Sequence, residues 1–330
     1  MKSNTRTFKS TLLCLVLLLA ITMPVLAVDA SPSPSVENRA PAAEDLELST
    51  FRDVAVSGTL LALDPEGDML EFQIVRSPRR GDLELDQATG HFTYTPHEGR
   101  RGRDVFTYVA IDALGNISSE ASVRLRIERQ SRQVYYADMV GHEAHLAAIE
   151  LSERDIFVGE QIGGRHFFNP NVPVRRGEFL AMALRASEAD ILTGIVRTGF
   201  SDDNEIADWL KPYVSTAVLG GVVQGLPQDG SLVFAPHDYI SVSEASVILN
   251  NVLGLYDVPV MGYSGETSTV PTWAKQATSN LRAESIISSG DPGVYQSTLS
   301  RADAAQMLQG TVALLERRSV QTSSLLNWAN

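Results

Sequence analysis

Gly90-His91-Phe92-Thr93-Tyr94-Thr95-Pro96, followed by Gly102-Arg103-Asp104-Val105-Phe106-Thr107-Tyr108, decides the fold of the first part of this chain. Large apolar side chains stand at every second position, so each stretch puts one face into a core and the other into water. Working outward, the same alternation appears at Leu70, Phe72 and Ile74, at Leu83 and Leu85, and at Val123, Leu125 and Ile127. Turn-forming runs separate the strands: Asp64-Pro65-Glu66-Gly67-Asp68, Arg80-Gly81-Asp82, Ala88-Thr89-Gly90 and Leu114-Gly115-Asn116. Short strands at this spacing predict an antiparallel sandwich over residues 44–128.

From about Val134 the apolar spacing becomes helical, as in Ala245, Ile248, Leu249 and Val252, or Ala304, Leu308, Val312 and Leu315. An internal repeat runs through this region three times, over 134–193, 198–257 and 261–317. Tyr136, Phe200 and Tyr263 open the copies, and His145, Trp209 and Trp273 follow nine or ten residues on. Gly159, Gly225 and Gly290 are expected to close the first helix of each copy. Phe168-Asn169-Pro170 and Phe234-Ala235-Pro236 come next in two copies. A second helix then begins at Arg175-Arg176-Gly177-Glu178, Ser241-Val242-Ser243-Glu244 and Ser300-Arg301-Ala302-Asp303. Residues 318–330 read as a short tail.

The flanks and composition bound the function. Lys2, Arg6 and Lys9 precede an apolar run from Thr11 to Leu26, and Val25-Leu26-Ala27 offers small residues for cleavage. Residues 1–27 therefore read as a secretory signal peptide, and the Pro- and Ser-rich residues 28–43 as a linker. Cys14, the one cysteine of 330 residues, lies in that apolar run, so the mature chain would hold neither disulfide nor thiolate metal site. The formal charge of −13 becomes three units more negative without the leader. Such a chain is a poor nucleic-acid binder, and an anionic glycan would need a local basic pocket.

The first segment resembles bacterial Ig-like/cadherin-like repeats of surface proteins. It does so through Asn38-Arg39-Ala40-Pro41, Asp64-Pro65-Glu66-Gly67-Asp68, the two strands quoted first and Asp112-Ala113-Leu114-Gly115-Asn116. The triple pattern resembles the S-layer homology (SLH) family over Val134–Leu315. The fold class expected is thus multidomain: an all-β Ig-like sandwich followed by an all-α, mostly helical SLH pseudo-trimer. The resemblance implies binding of secondary cell-wall polysaccharide, often pyruvylated, with the sandwich as a spacer or adhesion module.

Ser241-x-x-Glu244 is a capping box and Ser300-x-x-Asp303 a weaker one, whereas Arg175 occupies the cap of the first copy. Arg176 and Arg301 fall just inside a helix N-terminus, where the macrodipole disfavours a cation. An anionic ligand held by the guanidinium and the helix N–H groups would account for them; an ordinary salt bridge is the alternative. The resemblance implies the same binding position. Val242 fills it in the second copy. Trp209 and Trp273, each followed by a lysine two residues on (Lys211, Lys275), suit stacking on sugar rings, or packing within the fold. Backbone near Gly225 and Gly290 lines the sugar groove in the family.

Asp64, Glu66, Asp68, Asp104 and Asp112 could meet at one end of the sandwich and hold Ca2+, though turn formation explains such acids as well. His142-Glu143-Ala144-His145 lacks the spacing of a zinc protease, so no metal or other cofactor is expected beyond that calcium. No phosphate loop, nucleophile elbow or triad is present, and no enzyme is expected. The expectation is a secreted, non-catalytic protein of the cell wall and surface. Its partners would be an anionic wall polysaccharide and, through the sandwich, other surface proteins. The alternative is a protein-binding scaffold whose repeats have lost glycan binding.

Overall fold

The computed structural model describes residues 38–260, 270–287 and 295–328, without the side chains of 323–328. The expected signal peptide, most of the linker, Cys14, Tyr263 and Gly290 lie outside the described residues.

The sandwich comprises β1 (Ala42–Ala43), β2 (Leu46–Phe51), β3 (Val56–Thr59), β4 (Ala62–Leu63), β5 (Glu71–Arg76), β6 (Gly81–Leu85), β7 (His91–Pro96), β8 (Gly102–Ile111) and β9 (Ala121–Glu128). One sheet runs β2-β9-β8-β5 and the other β3-β7-β6, with β1 paired to β4. The pairing departs from all-antiparallel at one edge, where β2 lies parallel to β9 with Leu46 opposite Val123. The alternating residues meet between the sheets: Phe72, Phe92, Tyr94, Phe106, Tyr108 and Leu125 are all buried. Phe92 of one sheet meets Phe106 of the other edge-on, with ring centroids 5.2 Å apart.

Two buried tyrosines need partners for their hydroxyls. Tyr108 Oη reaches the Glu44 carbonyl at 2.6 Å and the Leu61 carbonyl at 2.8 Å, tying the β1 and β4 margins to the core. Tyr94 Oη donates to Asp104 Oδ2 at 2.9 Å. The Asp104 carboxylate also accepts the backbone N–H groups of Arg79 (3.0 Å) and Arg80 (2.7 Å). Asp104 is therefore a buried latch, not part of an acidic cluster at the end of the sandwich as expected from sequence.

In the second half, the first copy contains α1 (His145–Glu153), β10 (Glu160–Ile162), β11 (Arg165–Phe167) and α2 (Arg176–Ala186). The second contains α3 (Lys211–Leu219), β12 (Leu226–Gln228), β13 (Ser231–Val233) and α4 (Val242–Leu253). The third contains a 3-10 turn at Thr272–Ala274, then α5 (Lys275–Ala283) and α6 (Arg301–Trp328). The expectation of an all-helical module is corrected: β10–β11 and β12–β13 are antiparallel hairpins. Their tips, Gly163-Gly164 and Asp229-Gly230, have positive φ at both residues, the backbone that tight hairpin turns need. The tail read at 318–330 is also corrected, since α6 carries on through it to Trp328.

The three copies close on one another through a ring of backbone hydrogen bonds. Ile240 N–H donates to Val174 O (3.0 Å), Val174 N–H to Leu299 O (2.9 Å), and Leu299 N–H to Ile240 O (2.8 Å). All three side chains are buried in the core shared by the copies. Leu146 of α1 packs against both this core and that of the sandwich.

Burial opposes ionisation of Asp104, but the Arg79, Arg80 and Tyr94 donors outweigh it and hold its carboxyl below the usual aspartate value. A depressed folded pKa means that its stabilisation is present above the unfolded value near 3.8 and is lost as pH falls through the folded value. Asp104→Ala, which removes the acceptor of the Arg79, Arg80, Val105 and Tyr94 donors, is expected to cost about 2–4 kcal/mol and to flatten the acid limb of stability. Thermal melts of both proteins between pH 2 and pH 7 check this.

Candidate functional site

In the first two copies the helix pair is positioned by one carboxylate that the repeat pattern does not include. Asp138 accepts the N–H groups of Phe168 and Asn169 at 3.0 and 2.7 Å. Asp202 does the same for Phe234 and Ala235 at 2.9 and 2.8 Å. The bonds hold Asn169 and Ala235 in the left-handed region (φ of 56° each) just before Pro170 and Pro236. The signal was present in the sequence as an aspartate two residues after the opening aromatic of these two copies.

The first helices do not end at the glycines. Asp155, Gly221 and Ser285 take the left-handed conformation beyond α1, α3 and α5. The next residues, Ile156, Val222 and Ile286, return N–H bonds to Leu151, Ala217 and Leu281, the six-to-one closure of a helix. Gly159 and Gly225 instead lead into the hairpins, and they admit no side chain. A Cβ at Gly225 would stand 2.4 Å from Phe200 Cε1, and one at Gly159 would stand 2.5 Å from Phe167 O. Their glycine identity follows from backbone and packing.

Counted from the helix ends, His145, Lys211 and Lys275 are equivalent, each the first residue of its helix. The partner of Trp209 and Trp273 in the first copy is thus Glu143, not His145, because the connection after Tyr136 is two residues shorter. His145 is buried, and burial lowers its pKa.

The helix N-termini do not offer the N–H groups that the anion reading requires. Arg176 and Gly177 N–H donate to Asp238 and Pro236 carbonyls, and Arg301 and Ala302 N–H to Val172 and Pro170 carbonyls. The arginines join the copies. Arg176, 7% exposed, lies over the Phe234 ring at 5.6 Å and meets Glu244 at 3.4 Å. Burial depresses its pKa, with Glu244 and Asp238 opposing. Arg301 lies over Phe157 at 5.1 Å and meets Glu160 at 2.9 Å. The second copy needs no such charge, since Val242 is buried in the common core. Lys211 is also held, 3.2 Å from Asp208 and 3.5 Å from Asp203.

What remains open to a ligand is aromatic. Trp209 is 58% and Trp273 60% exposed. Trp209 meets Tyr213 one turn on at 6.3 Å, edge-on. Arg185, on α2 of the preceding copy, donates to Tyr213 Oη at 3.1 Å and lies over its ring at 6.0 Å. Trp209, Tyr213 and Arg185 therefore form a continuous aromatic and cationic ledge between α2 and α3. Sequence reading missed Tyr213 and Arg185 because the pair spans two copies. Trp273 has Ala277 at the matching position and lacks the ledge. Lys275 makes no ion pair among the described residues.

In the sandwich, carboxylate oxygens of Asp64, Asp68 and Asp112 lie within 4.8 Å of one another. Asp64 Oδ1 accepts the N–H groups of Glu66 and Asp68, while its Oδ2 is buried with no hydrogen-bond partner. Glu66 turns away to Arg39 at 3.1 Å, so it and Asp104 drop out of the cluster expected from sequence.

Residues 38–129 form a bacterial cadherin-like domain by family match. An amylopullulanase of Thermoanaerobacterium thermosulfurigenes is 32% identical over 135 residues, covering 39% of this chain. The chain spans 7% of that enzyme's length. Among solved structures, the sialic acid binding region of a Streptococcus sanguinis SK1 adhesin matches 30% of this chain and 32% of its own, with 16% identity and a TM-score of 0.21. Fibronectin(III)-like modules of Clostridium thermocellum CbhA match 29% of this chain and 50% of theirs, with 14% identity and a TM-score of 0.21. Among the described residues no helix is long and apolar enough to cross a membrane.

Gly225→Ala is expected to cost more than about 2 kcal/mol, because strain at φ +82° adds to the contact with Phe200. Gly230→Ala, also left-handed at φ +78° but with open space around it, is expected to cost only about 1–2 kcal/mol. Denaturant midpoints of the two variants compare them.

Proposed function

We propose that this chain is a non-catalytic protein of the bacterial cell surface whose helical half is an SLH-type pseudo-trimer. That half would bind secondary cell-wall polysaccharide, and the cadherin-like domain would be carried outward as a spacer or adhesion module. The observation that carries the reading is the exposed ledge of Trp209, Tyr213 and Arg185 between two copies. An indole offers an apolar face and a polar edge to a sugar ring, and the neighbouring guanidinium suits a glycan carboxylate. The three-way backbone ring supports the pseudo-trimer. Trp273 and Lys275 would form a weaker second contact.

A different observation favours the alternative of a protein-binding scaffold. Arg176, Arg301 and Lys211 are already paired within the protein, which removes much of the charge that anionic wall polymer would meet.

Co-sedimentation of the chain with purified wall sacculi, before and after hydrofluoric acid extraction, tests the primary reading. Binding is expected before extraction only. Trp209→Ala should weaken it about tenfold, equivalent to about 1.4 kcal/mol, with Arg176→Met close to wild type. Failure of the intact chain to sediment with any secondary-polymer-bearing wall would leave the scaffold reading.

We also propose that Asp64, Asp68 and Asp112 hold a calcium ion, since an unpartnered buried carboxylate oxygen among three acids lacks a counter-charge. Calcium is expected to raise the melting temperature of the sandwich and EDTA to lower it, with Asp64→Asn abolishing the difference. An identical melt with and without calcium would reject the site.

A further inference from the structure

The helical half is not the only surface placed to meet a glycan. On the outer face of the four-stranded sheet, Arg103 of β8 stands directly opposite Arg126 of β9. Like charges in that register destabilise a strand pair unless something neutralises them. Arg126 has Glu128 at 3.1 Å; Arg103 has no acidic partner among the described residues. Arg79 and Arg80 come from the β5–β6 turn into the same depression, of about 1240 Å3. Asp104 lines the same depression but makes no ion pair with them among the described residues. Its oxygens are taken up by their backbone N–H groups and by Tyr94, so the acid fixes the turn while the guanidinium groups stay free of it. Arg80 Nη1 meets only the Arg101 carbonyl, at 3.1 Å. No lysine occurs from 38 to 129, so the permanent positive charges there are all arginine, the side chain whose planar fork matches carboxylate and sulfate.

We infer that this arginine-lined sheet face binds an anionic polysaccharide, one bearing repeated carboxylate or sulfate groups. The depression holds no aromatic side chain, and Val105, 48% exposed, is its exposed large apolar residue. A protein partner would want a buried apolar or aromatic anchor there, and a single-stranded nucleic acid would want rings to stack on. Duplex nucleic acid, with a wider footprint, would meet the field of a chain carrying −13. Guanidinium forks set among the hydroxyls of Ser49 and Ser122 suit a hydroxyl-rich, charged chain. The site is separate from the Trp209 ledge and stands whether or not that ledge binds wall polymer.

The test is titration of the full chain with oligogalacturonate and with dextran sulfate, beside neutral dextran, poly-L-glutamate and duplex DNA. Binding of at least one anionic polysaccharide is expected, with none of dextran. Arg79→Gln/Arg103→Gln/Arg126→Gln should weaken it at least tenfold, and Arg79→Gln alone about threefold. Raising NaCl from 50 to 500 mM should abolish most of it, as screening of exposed charges requires. The same triple substitution introduced into Trp209→Ala should cause the same loss, which separates this face from the wall-binding reading. Matching thermal melts confirm that the variants fold. Equal binding by the triple variant, no loss when the triple substitution is added to Trp209→Ala, tighter binding of poly-L-glutamate or DNA than of either polysaccharide, or no binding of either, would each overturn the inference.

Discussion

The helical half depends on the ring of three backbone hydrogen bonds joining Val174, Ile240 and Leu299. Each bond is ordinary in strength, but each links segments 59 or more residues apart in two different copies, and the ring is complete only with all three. That geometry explains the first turn of each second helix. With the segments fixed side by side, the N–H groups of Arg176, Val242 and Arg301 face carbonyls of a neighbouring copy, and the orphan donors of a helix start are satisfied from outside. The arginines at two of these positions then have only a neighbouring copy to lie on. An aromatic ring and a glutamate await them there.

The sandwich is organised by a different constraint, the need to satisfy two buried tyrosine hydroxyls. Tyr108 ties the first strands, and Tyr94 with Asp104 orients the turn that carries Arg79 and Arg80. A buried acid thereby sets the position of an exposed basic face without pairing with its guanidinium groups. Core and surface are coupled at one residue, whose loss would be felt in both.

Legibility in the sequence followed the range of the interaction. The sandwich strands were readable because period-2 aromatics report a local rule, and Ser241-x-x-Glu244 was readable because a capping box lies within one turn. The hairpins were not, since strands of three residues are too short for a pattern, and the residues just after them are held by Asp138 and Asp202 from some thirty residues away. His145 was set against Trp209 because spacing was counted from the opening aromatic, while the missing two residues lie between that aromatic and the helix. Nothing within their own helices accounts for Arg176 and Arg301. Their partners, Glu244 and Glu160, belong to other copies, so sequence offered a ligand where the fold supplies a neighbour.

The same long-range logic relocates the binding chemistry. An acidic chain can present cationic groups to a glycan only where they escape internal pairing, and in the helical half Arg176 and Arg301 pair with acids of neighbouring copies and Lys211 with acids of its own. Arg185 keeps its charge uncompensated because its partners, Tyr213 Oη and the Asp155 carbonyl, are neutral, and Tyr213 in turn props Trp209. Of three similar copies, the boundary between the first and second alone among the described residues has all three side chains. Degeneracy of the repeats and asymmetry of the surface are thus one fact: substitutions tolerated by the common core leave a single complete ledge at its rim.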